Sequence, residues 1–547
     1  MSPRRSYARS AIGATAVFLI LLSAFYALLS FTGRSPVIED IRPNSAAPGE
    51  RIVITGDYFG TSRGRGNVRI AGSVPTSSTY LEWSDSRILM RVPEDASSGL
   101  VYVETERGRS NGVLFANAAH VPQRAETTES SARPMIGAIE PQAAPVGSII
   151  TIRGSRFGSN RNDSRVTFAW ESADGERDRI PVAGAEYGYV YWSARELRVR
   201  VPDGAVSGEV VVETARGRSP GVGIDIERPV GTKRFTARRS HAVAVSVTVD
   251  SIQIAEEGSN GTLYLWTPRV SQSPEQRNYQ VLTETEPPLF SRAEGVALYR
   301  LRNPRPEQEW TLRRTTLFDR YAVETEIEAQ AVPFDYDEPE AFLRRYTEAD
   351  AVLPVEADPV QAEAARLLRT ARNPYARARR TYERVRSLLE PRSEVGPVDA
   401  VAALESGTAN PFGYATLTVA LLRAQEIPAR VVSGHLVCRD EILERHYWAE
   451  FYVEQFGWVP VDPAAADGAV CEGFPLPEDP GAFYFGNTDA GRITFSTGMV
   501  AVPRMHPEGR TERVRTMYSL QTHHHEAVGD IRWYRVRWHD VTYLGEY

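Results

Sequence analysis

Residues able to act chemically are sparse in this chain and gather in its last third. His446 stands in HYWAE and Asp462 closes GWVPVD sixteen residues later. They are an imidazole and a carboxylate, side-chain types able to take and hold protons. The only thiols are Cys438, eight residues before His446, and Cys471. Two cysteines are too few for a disulfide framework and too few for a zinc site. His523, His524 and His525 are consecutive. Adjacent side chains do not converge on one ion, so no metal is expected there, and no motif calls for a cofactor.

The elements that must position these residues lie between Gly407 and Asp462. The stretch reads GTANPFGYATLTVALLRAQEIPARVVSGHLVCRDEILERHYWAEFYVEQFGWVPVD. It predicts a helix entered at Asn410-Pro411, a strand carrying His446 and a strand ending at Asp462. Asn is a good N-cap, and Pro suits the first helical position because its missing N–H has no partner there anyway. The pieces ALLRAQEIPARVVSG, HYWAEFYV and GWVPVDP resemble the transglutaminase-like superfamily, which shares a papain-like core. The later stretch DPGAFYFGNTDAGRITFSTG, residues 479–498, extends the resemblance to roughly 358–498.

The resemblance implies a catalytic order of Cys, His and Asp. The Cys begins a helix, where the helix N-terminus and an adjacent His lower the thiol pKa. The His moves protons and the Asp orients the imidazole. His446 and Asp462 match the second and third positions. The first falls on Pro411, counted back from Ala420-Leu421-Leu422-Arg423, and proline has no reactive side-chain atom. Thr408, Ser406 and Cys438 are the residues that could stand in as nucleophile, and none occupies the helix start.

Two helical runs precede this stretch. Asp358-Pro359 opens VQAEAARLLRTAR, and Asn373-Pro374 opens YARARRTYERVRSLL with Tyr375, Tyr382, Val385 and Leu389 as its apolar stripe. Further upstream, residues 36–117 and 134–228 repeat one another. Gly-x-x-Phe-Gly begins at Gly56 and again at Gly154, 98 residues on; Trp83 and Trp192 lie 109 apart. The second copy therefore holds eleven extra residues, including ESADGERD, which is polar enough for a surface loop. Short β-rich runs punctuated by Gly, Pro, Ser and Asp predict immunoglobulin-like sandwiches. The landmarks look like IPT/TIG domains. Trp83 and Trp192 read as buried sandwich aromatics, with a binding platform as the alternative. Residues 118–133 read as a polar linker, the basic stretch 229–239 as a second hinge, 240–340 as another antiparallel β-domain and 499–547 as a β-like C-terminal extension.

At the N-terminus, Arg4, Arg5 and Arg9 precede the uncharged run 11–32. A helix of that length reaches roughly 33 Å, enough for a bilayer core of about 30 Å. The arginine asymmetry places residues 1–10 in the cytoplasm and the rest outside. An uncleaved signal anchor is expected, with a cleaved signal peptide as the alternative. In that oxidising compartment the two thiols are candidates to pair. The net charge of −7 gives no support to a nucleic-acid partner. The chain holds a single lysine, Lys233, and so could barely donate amines to isopeptide links.

The expected fold class is therefore multidomain: a transmembrane helix, two immunoglobulin-like β-sandwiches, a further β-domain and an α+β transglutaminase-like domain. Three functions are open to such a chain. The first is a membrane-anchored pseudoenzyme of the bacterial cell envelope that binds an envelope protein, peptidoglycan or another glycan. The second is an active acyltransferase or hydrolase with a substituted nucleophile. The third is a purely architectural surface protein.

Overall fold

The structure is a computed structural model. It describes residues 35–547 apart from 47–48, 71–74, 94–95, 97–98, 118–132, 256–260, 293–294, 351, 370, 393–398, 440–441, 499, 503–504, 507–508, 511–515 and 518–522. The expected membrane segment 11–32 and nearly all of the expected linker 118–133 lie outside the described residues. Among the described residues, no helix is long and apolar enough to cross a membrane. The chain divides into two compact units, Met1–Glu129 with Arg504–Gly509, and Ser130–Pro503 with Arg510–Tyr547.

The first repeat, in the first unit, is a sandwich. One sheet runs Val37–Arg42, Arg51–Asp57, Arg87–Arg91, Tyr80–Trp83. The other holds Ser45–Ala46, Val113–Asn117, Gly99–Thr105 and Asn67–Ile70. Alternate residues point inward, as strand geometry requires. Ile52, Ile54, Ile88, Met90, Val101 and Val103 meet in the core.

The second repeat, in the second unit, matches strand for strand. Gly56 pairs with Ile38 and Gly154 with Ile136, beside the same register shift. Neither glycine serves turn geometry. A Cβ on Gly56 would meet the Val37 carbonyl oxygen at 1.9 Å, and one on Gly154 the Met135 carbonyl oxygen at 2.1 Å. The close backbone approach is what demands glycine. Trp83 Nε1 donates to the Phe59 carbonyl, and Trp192 Nε1 to the Gly158 carbonyl. Each half-buried indole thus pins the Gly-x-x-Phe-Gly turn.

The repeats differ at the insertion, whose residues 173–176 form an exposed turn, as expected. It extends a hairpin, Arg165–Glu171 with Arg177–Pro181, whose tip packs on the next domain. The Ala173 N–H donates to the Phe235 carbonyl at 2.8 Å, and Arg277 pairs with Asp178. The expected hinge at 229–239 is absent. That stretch begins a 24-residue strand, Gly231–Ile254, paired with Trp310–Ile327. The β-domain is two sheets built around these strands. The C-terminal residues are part of it rather than an extension: Ile531–Glu546 pairs with Gly231–Ile254, and His524–Gly529 pairs with Gly261–Pro268. A strand whose partner lies some 300 residues away carries no local signal of the pairing.

The domain holding His446 packs helices on one face of a four-stranded antiparallel sheet. Asp358–Leu368 starts at Asp358 itself, with Ala357 as N-cap and Pro359 in its first turn. Pro374–Leu388 is capped by Asn373. Helix α1, Pro411–Arg423, is buried from Gly413 to Arg423, and the Asn410 side chain accepts from the Gly413 N–H at 3.1 Å. The strands are β1, Ala429–Val437; β2, Leu443–Val453; β3, Gly457–Val461; and β4, Arg492–Thr497. Their order is β3-β2-β1-β4. Ala449, Phe451 and Val453 of β2 pack with Tyr414, Leu417 and Leu421 of α1.

Cys438 and Cys471 form a disulfide, with Cα atoms 5.9 Å apart across a separation of 33 residues. The closed loop contains both His446 and Asp462. In the chain-entropy picture such a loop contributes about 4 kcal/mol. Calorimetry with and without reductant should therefore show a lower melting temperature for the reduced chain, and Cys471→Ser should reproduce the drop without reductant. Equal melting of the two forms would show that the bond constrains nothing.

Candidate functional site

His446 lies near the start of β2 and pairs across to Gly434 of β1. A Cβ on Gly434 would strike the Ile493 carbonyl oxygen at 1.9 Å and the Trp448 ring at 3.1 Å, so only glycine lets the strands close here. His446 Nε2 sits 2.8 Å from Asp462 Oδ2. Both residues are buried. An ionised carboxylate only accepts, so Nε2 carries a proton and donates it to Asp462.

Asp462 follows β3 and caps the short helix Pro463–Ala466; its Oδ1 accepts from the Ala465 N–H at 2.9 Å. Its Oδ2 also accepts from Arg492 Nη1 at 2.9 Å. Arg492, on β4, turns its other edge to Asp489, donating from Nη2 at 2.6 Å. The guanidinium is fully buried, with the Trp448 ring centre 5.0 Å away and that of Tyr484 5.5 Å away. Arg492 and Asp489 complete the cluster, yet nothing near GNTDAGRITF distinguishes that arginine from the many solvated ones.

Burial alone would raise the Asp462 pKa. The facing His446 and the Arg492 charge outweigh it and hold the carboxyl at about 2. Arg492 is pushed up by its two carboxylates against the effect of burial, and Asp489 is pulled down by Arg492.

The sequence also pointed to a nucleophile position and three substitutes. Pro411 is the first residue of α1. Phe412 packs on Tyr447 with ring centres 5.1 Å apart, so the helix start neighbours the strand that carries His446. Ser406 Oγ donates to the Ala402 carbonyl at 2.7 Å, closing the end of the preceding helix. Thr408 sits in a two-residue strand paired with Glu390–Pro391. Cys438 is spent in the disulfide. Glu444 lies close to both sulfurs, but a disulfide withholds the thiolates a metal would need. Of the triple histidine, His525 Nδ1 meets the Tyr534 hydroxyl at 2.7 Å within the β-domain, far in sequence from His446.

Residues 361–463 match the transglutaminase-like superfamily, and residues 36–118 and 134–221 each match the IPT/TIG domain. The chain carries a transglutaminase-like core domain and two IPT/TIG domains. No curated protein matches it. Among solved structures, a candidate cysteine protease of Cytophaga hutchinsonii is 14% identical at a TM-score of 0.37, over 57% of this chain and 93% of that one. A surface glycan-binding protein of Prevotella bryantii is 9% identical at a TM-score of 0.19, over 53% and 98%. A protein of a xyloglucan utilisation locus in Bacteroides uniformis is 12% identical at 0.14, over 53% and 99%. Likenesses this distant carry no functional argument.

In the transglutaminase-like domain His446 and Asp462 are thus locked in place. Two outcomes are expected. Arg492→Met leaves Asp462 and Asp489 buried without their shared cation and should cost about 3–5 kcal/mol in denaturant unfolding. The Asp462 pKa is depressed on folding, so its contribution is complete above the unfolded value near 3.8 and fades as pH falls through about 2. About 2 kcal/mol should be lost across that window. Asp462→Asn should be less stable at pH 7 and show a shallower acid limb; an unchanged limb would remove Asp462 as its cause.

Proposed function

We propose that this chain is a non-catalytic, membrane-anchored protein of the bacterial cell envelope, whose transglutaminase-like domain serves binding or assembly outside the cytoplasm. One observation carries the reading: a proline heads the helix where the superfamily places its cysteine. Pro411 gives His446 no nucleophile at the helix start, and loss of the nucleophile from such a unit removes most of its rate enhancement. The Cys438–Cys471 disulfide is consistent with an oxidising compartment. The partner is an envelope protein, peptidoglycan or another glycan, and the run 11–32 is the anchor.

The purified chain should show no transamidation or peptidase turnover and no covalent labelling by acyl probes directed at hydroxyls or thiols. Pro411→Cys should gain a thiol that reacts quickly with iodoacetamide near pH 7, because the helix N-terminus and the neighbouring His446 strand favour the thiolate. Turnover by the unmodified chain that disappears in His446→Ala would defeat the reading and redirect the search to Thr408 or Ser406. N-terminal sequencing of protein extracted from membranes tests the anchor: a mature start near residue 33 would exclude it.

A further inference from the structure

The alternation of β2 sets Trp448, Glu450 and Tyr452 on the face opposite α1. These three side chains border a cavity of about 440 Å3, closed on its other sides by the second IPT/TIG domain and the β-domain. That volume lies within the range of small-molecule sites. Pro181, Ala183, Gln272 and Asn278 line it and are exposed, so the space opens to solvent. Half-buried Val146, Pro202 and Pro274 supply apolar wall. His446 and Asp462 do not line it.

The charges around the space fall into two groups. Some arginines are answered from behind. Arg165 pairs with Glu213 at 2.6 Å, Arg277 pairs with Asp178, and Arg179 bonds Thr167 beside Glu209 and Glu213. Those acids belong to the second IPT/TIG domain and do not line the cavity. Arg200 is matched one to one by Glu338 at 2.6 Å. The other charges answer one another across the lining. Lys233 holds Asp203 at 2.6 Å, and Arg320 lies 3.1 Å from Glu275. Arg430 serves two acids at once, Glu450 at 2.7 Å and Glu186 at 2.5 Å. Three cations therefore face four carboxylates in this group.

Glu450 is where the shortage of positive charge shows. It is 8% exposed, and its Oε2 takes the Arg430 Nε–H. Its Oε1 accepts no hydrogen bond among the described residues, yet it is not sealed inside the protein. That oxygen therefore opens on the cavity that Glu450 lines. Burial pushes the Glu450 carboxyl up; Arg430 opposes the rise and neighbouring Glu275 adds to it. A carboxylate oxygen only accepts, so whatever meets Oε1 must donate. A charged donor makes the shorter and stronger bond, and it also supplies the positive charge that a buried acid needs.

We propose that this interdomain cavity binds a small organic ammonium ion, which donates to Glu450 Oε1 and brings its charge to the side of the cavity that holds Glu450 and Glu275. The inference rests on the reading of the chain as a binding protein and names a site and a ligand class. Titration calorimetry on the full chain tests it with glucosamine and agmatine as ammonium ligands. Glucose is the neutral counterpart of glucosamine and glucuronate the anionic one. Saturable binding of at least one ammonium ligand is expected, with glucose at least tenfold weaker than glucosamine and no binding of glucuronate. Glu450→Gln keeps the shape of the side chain but removes its charge, and should weaken ammonium binding at least tenfold. No saturable binding of either ammonium ligand to the folded chain, glucose or glucuronate binding as tightly as glucosamine, or unweakened binding by Glu450→Gln would overturn the site. Should the variant fail to fold, the comparison of glucosamine with glucose on the unmodified chain still decides. Failure of binding leaves the absence of turnover untouched, and His446-dependent turnover would sink the non-catalytic reading without touching the cavity.

Discussion

Arg492 is the charge on which the interior of the transglutaminase-like domain depends. It is a fully buried cation held by Asp462 on one edge and Asp489 on the other. Burying such a group is costly unless its partners are close and well aligned. The same Asp462 oxygen that receives Arg492 also receives His446. The histidine is therefore part of the packing that joins the end of β3 to β4. That gives it a structural reason to stand where it does, whatever happens at the helix start. A histidine–aspartate pair inside such a cluster is weak evidence of chemistry by itself.

A second set of charges fastens the second IPT/TIG domain to the β-domain and the transglutaminase-like domain. Glu186 reaches Arg430 of β1, which also lies 3.9 Å from the Trp458 ring centre. Glu176 of the inserted hairpin meets Arg238 at 2.5 Å. Exposed pairs of this type contribute little, whereas pairs taken out of water become strongly dependent on each partner. The buried Arg430 and Arg277 carry most of this junction, while the half-exposed Glu176–Arg238 pair contributes little. The insertion supplies Glu176 and Asp178 to this junction, beside Glu186 and Asp203 from the rest of the domain.

What the sequence made legible was local. Asn410 and Asn373 cap the helices they were expected to cap, because a cap is a matter of three residues. Short β-rich runs punctuated by turn residues revealed the sandwiches, and two family motifs placed His446 and Asp462 on adjoining elements. What escaped was decided by distant partners. The exposed turn of the inserted hairpin was legible, but not its partners Arg277 and Arg238, some 60 to 100 residues on. The hinge at 229–239 vanished for the same reason: its residues pair with Trp310–Ile327. Arg492 was one arginine among many, and its importance comes from the two acids that surround it.

Lys233, the chain's only lysine, is held by Asp203 at 2.6 Å and by the Trp458 carbonyl at 2.7 Å, with a tenth of its side chain exposed. All of an ammonium's usefulness to outside reagents is spent on that junction. The protein therefore presents no accessible side-chain amine. Succinimide esters, aldehyde fixatives and carbonyl sugars would find only the α-amine, and coupling through carboxylates or introduced thiols is the practical way to tether or map this molecule.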